Sequence, residues 1–334
     1  MPAHRLNGPS PGSGPAAAAV ARVLAGSPLE QAAAEARLEP AFLASMLEVF
    51  TDAGYRAVDD VTAHRTWWQV DVEFDPHRDH AAASTLTALI EKARTDGLVS
   101  RWWFLHKHPG WRLRLDPARL ETRLRLATAL DTLVETGALR GWRTGIYEAE
   151  TAAFGGPTGM DIAHELFCAD SHHIRHLPAE ADLPLGRKQL SLMLCTELMR
   201  SAGLEPFEHG DVWDLVCGLR PLPEDVNPAR IDTMLTSTQT LLGADTAPDG
   251  AMFGPSGALS AHTPWAGSFS TAGARLGRAR AEGDLRRGIR AVLAYHVIFH
   301  WNRLALGTGA QAALARAART AVLGVPVESP EVAQ

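Results

Sequence analysis

Two arginines lie in an unusual segment, RWWFLHKHPGWRLRLD, residues 101–116. Arg112 and Arg114 are separated by one residue, so on a strand both side chains point to the same face of a sheet. Guanidinium groups cannot be buried without anionic or carbonyl partners. The pair therefore indicates either a solvated face or a surface that binds anions and peptide carbonyls. Three tryptophans border the pair: Trp102, Trp103 and Trp111.

A second candidate group lies in the segment TGIYEAETAAFGGPTGMDIAHELFCADS, residues 144–171. A strand is predicted to break at Gly155-Gly156, and a helix to begin near Asp161. Consecutive glycines permit backbone conformations closed to other residues and let a ligand approach closely. Glu148 and Glu150 could perform acid–base chemistry, although loops rich in acidic residues are more often only solvated.

The third group, AYHVIFHWNRLAL at residues 294–306, is predicted to be helical. His296 and His300 are four residues apart and share a face, with Arg303 near it, whereas Tyr295 and Asn302 share another. A histidine pair can hold a metal, but no carboxylate lies at helical spacing within the segment, so no metal site is predicted. Proton transfer and a packed, hydrogen-bonded pair both stay open.

The elements that must position these groups follow from hydrophobic periodicity. Residues 67–147 alternate as strand, helix, strand, strand, helix, strand, which is the order of a ferredoxin-like sheet. After Gly156 the pattern is mainly helical, with a Pro/Gly-rich stretch from Arg220 to Gly267. We therefore predict an α+β fold: a ferredoxin-like antiparallel sheet half, a mainly helical half, and a small N-terminal helical module.

Composition limits the function. The 334 residues carry 32 Lys+Arg against 38 Asp+Glu, a formal net charge of −6 that disfavours nucleic acid as a partner. Three cysteines without a CxxC pair predict neither disulfides nor structural zinc, as is typical of the reducing cytoplasm. No apolar run approaches the length of a membrane span. The predicted organisation is a disordered tail at 1–15, a helical module at 16–62, a catalytic domain at 63–310, and a C-terminal helix and tail at 311–334.

The helical module has two interpretations. Its spacing is similar to that of helix–turn–helix units, which bind DNA. Its few basic side chains, among them Arg37 and Arg56, are interspersed with glutamates, so a packing or peptide-docking module is favoured.

The three groups, taken in this order, resemble one family. WWFLHKHPGWRLRL, then YEAETAAFGG with Asp-Ser following, then HVIFHWNRL are similar to the thiopeptide-type bacteriocin biosynthesis domain. That domain is the stand-alone relative of the C-terminal glutamate-elimination domain of class I lantibiotic dehydratases. The resemblance covers about residues 67–310, and residues 16–60 resemble the N-terminal extension of stand-alone members.

The resemblance implies a ribosomal peptide substrate, no cofactor, and one of two reactions. The first is a formal aza-[4+2] cycloaddition of two dehydroalanines, which forms a central pyridine and expels water and the leader peptide. The second is elimination of glutamate from glutamylated Ser or Thr, giving dehydroalanine or dehydrobutyrine. A third hypothesis is a non-catalytic peptide-binding subunit, in which the helical module at 16–62 would be the dock for the leader peptide.

One position bears on the choice of reaction. Elimination domains resembling this one carry a YxxExxRYGG-like stretch, but here the arginine position is Ala153, while Glu150 is kept. Loss of a cation from a site that handles two carboxylates costs transition-state stabilisation. Elimination would need a substitute cation such as Arg143 or Arg175. Cycloaddition gains its rate mainly from holding the two alkenes close together, so it is favoured.

The resemblance also assigns roles. We expect Arg112 and Arg114 to bind carbonyls or an oxyanion, Tyr295 and His300 to transfer protons, and Glu150 to orient them. The remaining candidates would contact the peptide: Trp102, Trp103, Trp111, Tyr147, Ser171, Asn302 and Arg303. The expected partners are a precursor peptide with its leader, a glutamylating dehydratase subunit and azole-forming enzymes, and a homodimer is left open.

Overall fold

A computed structural model describes residues 14–64, 67–75, 79–116, 119–224 and 229–324. The chain divides into two compact units, Met1–Ala63 and His64–Gln334. Of the predicted N-terminal tail, residues 1–13 lie outside the described residues, as do residues 325–334 of the predicted C-terminal tail. Within the described ranges, no helix is both long enough and apolar enough to span a membrane.

The first unit is a small helical bundle of α1 (Pro15–Leu24), α2 (Leu29–Ala36) and α3 (Pro40–His64). Its buried residues are small, apart from one leucine: Ala19, Val20, Ala32, Ala33 and Leu43. The segment FLASMLEVFTDAG alone would place the end of the third helix near Gly54, but α3 continues for ten more residues. A single glycine inside a helix costs only about 1 kcal/mol, so Gly54 does not end it.

The second unit begins with the predicted antiparallel sheet, and its order is ferredoxin-like. The elements are β1 (Trp68–Glu73), α4 (Asp79–Thr95), β2 (Arg101–Lys107), β3 (Gly110–Asp116), α5 (Leu120–Glu135) and β4 (Gly141–Gly145). The strands pair in the order β2-β3-β1-β4, and every pair is antiparallel. The predicted α+β fold class is confirmed.

The pleat gives this sheet an apolar and a polar face. Val70, Phe104 and Leu113 alternate onto the apolar face and join a core with residues of α4 and α5, such as Leu86 and Leu130. The polar face carries the residues at the intervening positions. These are Gln69 and Asp71 of β1, Trp103 of β2, and Arg112 and Arg114 of β3.

The rest of the second unit is helical. Its helices are α6 (Pro157–Arg175), α7 (Arg187–Ser201), α8 (Pro206–Leu219), α9 (Ala229–Asp232), α10 (Leu235–Gly243), α11 (Thr263–Glu282), α12 (Ile289–Arg303) and α13 (Thr308–Leu323). Helix α6 packs on strand β2 and on α11, so it joins the sheet to the helical core. The Pro/Gly-rich stretch predicted at 220–267 contains α9, α10 and the start of α11. Pro264 lies in the first turn of α11, a position at which helices tolerate proline.

Candidate functional site

The pairing register brings the polar residues of three strands together. Arg114 of β3 lies opposite Gln69 of β1 and opposite Trp103 of β2. Arg112, one step along β3, lies opposite Asp71 of β1. Both arginines therefore project from the centre of the sheet onto its polar face.

Arg114 is almost fully buried, with 3% of its surface exposed. Its guanidinium carbon lies 4.3 Å from the ring centroid of Trp103 and 5.4 Å from that of Tyr147. Nη1 donates a 3.0 Å hydrogen bond to the carbonyl oxygen of Arg112, whereas the buried Nε has no acceptor in the described structure. Burial lowers the pKa of Arg114 to about 10, so the group stays cationic at neutral pH.

Asp71 organises the more exposed side of the same face. One of its carboxylate oxygens lies 3.2 Å from Nη2 of Arg143 on β4, and the other lies 3.9 Å from Nε of Arg112. Gln69 donates a 3.1 Å hydrogen bond to it. Asp71 thus holds two guanidinium groups side by side, and the face keeps an excess of positive charge.

The segment after β4 places a phenol and a carboxyl group over Arg114. The Tyr147 hydroxyl lies 2.7 Å from Nε2 of His164 on α6. Burial raises the pKa of Tyr147, and the Glu150 charge adds to that effect, so the phenol is neutral. Loss of hydration raises the pKa of Glu150 as well, against the opposing effect of Arg114 and Arg112. A carboxyl group with a raised pKa is suited to proton transfer near neutral pH. We call Gln69, Asp71, Arg112, Arg114, Arg143, Tyr147 and Glu150 the sheet-face site.

A tight turn holds this segment. The Glu150 carbonyl accepts hydrogen bonds from the amides of Ala153 and Phe154, and Gly155 and Gly156 follow with φ of +86° and +101°. Helix α6 begins directly afterwards at Pro157, four residues before the predicted start at Asp161. The two glycines adopt a backbone conformation that other residues rarely adopt, and this allows the abrupt start.

His300 lies in a different place, in a cluster inside the helical half. Its Nδ1 lies 2.9 Å from Oδ2 of Asp170, to which Nε of Arg303 also donates at 2.6 Å. The indole of Trp265 donates a 2.9 Å hydrogen bond to the other oxygen of the same carboxylate. We call Asp170, His300 and Arg303 the buried ion cluster.

The buried ion cluster is closed to a peptide, because His300 is 1% exposed and Asp170 and Arg303 are fully buried. Burial opposes ionisation of Asp170, but His300 and Arg303 outweigh it and lower its pKa to about 2. The expected contact of His300 and Arg303 with substrate does not fit this placement.

The other predicted residues are spread over several places. Trp102 and Trp111 lie on the sheet face opposite to Arg114, because alternate residues of a strand point to opposite sides. The Ser171 hydroxyl accepts a hydrogen bond from the Phe104 amide and ties α6 to β2. Tyr295 packs beside Phe154 and Arg287, and Asn302 accepts a hydrogen bond from Gln311. Of the predicted residues, the sheet-face site therefore unites Arg112, Arg114, Tyr147 and Glu150, with Trp103 beside Arg114, but not these five.

Sequence reasoning missed Gln69 and Asp71 of this site, and it also missed His164, which borders the site at the Tyr147 hydroxyl. His164 lies three residues before Phe167 and seven before Ser171, so all three share the inward face of α6. That spacing was a usable signal. Among the described residues no three His, Cys, Asp or Glu side chains are grouped closely enough to hold a metal ion.

The fold and the site together define an α+β protein with a cationic, partly desolvated sheet face. The profile of the family described as Lantibiotic biosynthesis dehydratase C-term matches residues 67–322, and the chain belongs to that family. The tRNA-dependent lantibiotic dehydratase MibB from Microbispora sp. 107891 aligns over 78% of this chain and 28% of its own, with 18% identity and a TM-score of 0.53.

A second similar structure is TbtD, a pyridine synthase from thiomuracin biosynthesis. It aligns over 78% of this chain and 98% of its own, with 13% identity and a TM-score of 0.52. No protein with a curated description matches. At these identities the two structures support the fold, and the chain spans about a quarter of the length of MibB.

Proposed function

We propose that this protein modifies a ribosomally made, dehydrated peptide and forms a six-membered nitrogen ring by a formal aza-[4+2] cycloaddition of two dehydroalanines, with loss of water and leader. The observation that carries the proposal is Arg114, a buried cation near Glu150 and Tyr147 with an unpaired Nε. Such a group is prepared to bind a carbonyl oxygen whose negative charge increases during reaction.

The cycloaddition needs one peptide amide to become its imidic tautomer, which supplies the azadiene. Arg114 would bind the oxygen of that amide, Glu150 would accept the proton from its nitrogen, and Tyr147 would donate towards the oxygen. The raised pKa of Glu150 makes its carboxylate a stronger base than an ordinary one, and the raised pKa of Tyr147 keeps the phenol protonated, so that it donates a hydrogen bond to the oxygen without losing its proton. Holding the two alkenes together would supply much of the remaining rate.

These assignments replace two expectations. His300 and Tyr295 were expected to transfer protons, but His300 is buried against Asp170, and Tyr295 packs between Phe154 and Arg287. The proton roles therefore pass to Tyr147 and Glu150. The alignment over almost all of TbtD, which is described as a pyridine synthase, is consistent with the proposal.

Glutamate elimination is the second candidate, and Arg143 favours it. The family's arginine position is Ala153 here, but Arg143 lies beside Arg112 across Asp71 on the same sheet face. A third guanidinium could bind the departing glutamate carboxylate. Arg175, the other substitute considered, packs on Trp111 on the opposite face and does not serve.

Mass spectrometry of two synthetic substrates separates the candidates. One peptide carries two dehydroalanines in an azole-rich core behind its leader, and the other carries a glutamyl-serine ester. Cycloaddition predicts loss of water and leader from the first and no change in the second. Loss of glutamate from the second alone would establish elimination, and no reaction with either would leave a peptide-binding subunit. In the cell, a separate glutamylating dehydratase and azole-forming enzymes would supply the substrate.

A further inference from the structure

A cavity lies at a distance from the sheet-face site. It has a volume of about 890 Å³ and is lined by residues of the β2–β3 hairpin, α6, α12 and the start of α13. Trp111 lines it from β3, and because Trp111 alternates with Arg112 and Arg114, the cavity lies on the opposite face of the sheet. The sheet therefore separates the two sites.

The lining of this cavity is basic. It includes Arg175 and Arg187 with three histidines, the fully buried Arg303 lies in its wall, and the described lining residues include no aspartate or glutamate. Arg187 is paired with Glu180, and Arg303 with Asp170. Arg175 forms no ion pair with any described residue, and its Nε donates a 3.0 Å hydrogen bond to the Thr87 hydroxyl. Burial is the main cause that lowers the pKa of Arg175, and the positive charge of Arg187 lowers it further.

Two further donors at the cavity have no partner in the described structure. The Trp111 indole is 1% exposed and its Nε1 has no acceptor, while Phe104 stacks on its ring at 4.1 Å and the Arg175 guanidinium carbon lies 5.0 Å from its centroid. Helix α13 begins at the cavity with Gly307 as N-cap and no side-chain cap, so its first amides lack intrahelical acceptors. A half-buried cation, a buried indole donor and a helix N-terminus are together suited to an anionic ligand.

We propose that this cavity binds an acidic segment of a peptide, with Arg175 pairing with a carboxylate. A guanidinium group matches the planar carboxylate with two parallel hydrogen bonds. The cavity is larger than a single small anion needs, and the side-chain amide of Asn302 can bond to peptide groups.

The identity of the peptide rests on the proposed function, but the site itself does not. If the peptide is the substrate precursor, the cavity holds a segment remote from the reacting residues, since the sheet separates it from Arg114. Binding there would increase the local concentration of the reacting segment at the sheet-face site.

Fluorescence anisotropy with the full chain tests the proposal. The probe is a labelled octapeptide with four glutamates, and its matched control has four glutamines in their place. We expect the acidic peptide to bind at least tenfold more tightly, and Arg175→Gln to reduce its affinity to that of the control. Arg125→Gln, an exposed arginine of α5 paired with Glu121, should leave the affinity unchanged. Arg175→Lys, which keeps the charge, should give an intermediate value if Arg175→Gln proves unstable.

Equal affinity for the two peptides, or unchanged affinity in Arg175→Gln, would overturn the proposal. Inorganic phosphate that displaces the probe at lower concentration than succinate does, at constant ionic strength, would assign the cavity to phosphoryl groups instead and equally overturn it. The binding assay needs no turnover. Arg114→Met should bind the probe normally even where it abolishes reaction, so failure of this site and failure of the proposed function give different results.

Discussion

Arg114 and Arg303 are both buried arginines, but their surroundings differ. Arg303 donates to Asp170 at 2.6 Å within the buried ion cluster, where His300 contributes to neutralising the same carboxylate. Arg114 has two aromatic rings and one carbonyl oxygen as neighbours, and the nearest carboxylates act on it only at longer range. Removing the carboxylate partner of a buried cation is costly, whereas a buried cation without such a partner is what the proposed function assigns to the substrate.

The largest effect is expected where two buried groups share one carboxylate. Asp170→Ala leaves His300 and Arg303 buried without their shared carboxylate, so the free energy of unfolding should fall by about 3–5 kcal/mol. Urea unfolding measures it. A loss below about 1 kcal/mol would mean that the buried ion cluster is not structural and would reopen a catalytic role for His300.

Asp170 also predicts a pH dependence. Its pKa is lowered from 3.8 to about 2 in the folded chain, so its stabilising effect is present above pH 4 and is lost as the pH falls towards 2. Urea unfolding from pH 5 to pH 2 should show a steeper loss of stability in the wild type than in Asp170→Asn. Parallel curves would contradict the assignment.

Arg114→Met should have the opposite effect to Asp170→Ala, because we expect it to keep stability and to lose turnover. A buried cation without a carboxylate partner contributes little to stability, so a methionine of similar length should keep the free energy of unfolding or raise it. Turnover should fall by about 10²–10³-fold, because the group that stabilises the oxyanion is lost. Steady-state kinetics beside urea unfolding checks both. Full turnover in the variant would show that Arg114 has no catalytic role and that the sheet-face site is an ordinary surface.

Glu150→Gln should give the next largest effect. If the carboxylate accepts a proton, kcat should fall by about 10²-fold in the variant. The raised pKa of Glu150 places the acid limb of the wild-type pH profile above the ordinary carboxyl range: activity is lost as the pH falls through that pKa. The glutamine variant should lack this limb, and a limb that persists would assign it to another group.

The contrast between the two arginines was only partly readable from sequence. Strand alternation placed Arg112 and Arg114 on one face. The same alternation puts Trp102 and Trp111 on the other face, which grouping the three tryptophans with the arginines overlooked. The pairing of Arg303 with Asp170 joins residues 133 positions apart and depends on how α6 packs against α12. No local pattern records such a packing, so the sequence placed His300 in the site when it lies in the core.

Asp71 shows the same limit within the sheet. The alternation of Asp71 with Val70 and Val72 indicates that Asp71 lies on a polar face of the sheet. It does not show which strands flank β1. The two guanidinium partners of Asp71 come from β3 and β4, and only the order β2-β3-β1-β4 brings them together. The elements and their order followed from periodicity, whereas the pairings that distinguish the sheet-face site from the buried ion cluster required the structure.

The smallest effect on stability is expected for His296, which lies in the helical core near the buried ion cluster. His296 lies one helical turn before His300, yet neither of its ring nitrogens has a partner in the described structure, and burial lowers its pKa to about 3. It is therefore a neutral, packed ring, so His296→Leu should change the free energy of unfolding by less than about 1 kcal/mol, since no hydrogen bond is lost. Urea unfolding of this variant beside Asp170→Ala makes the test. A loss as large as that of Asp170→Ala would show that His296 shares in the buried ion cluster, and that the division between paired and merely packed groups is drawn in the wrong place.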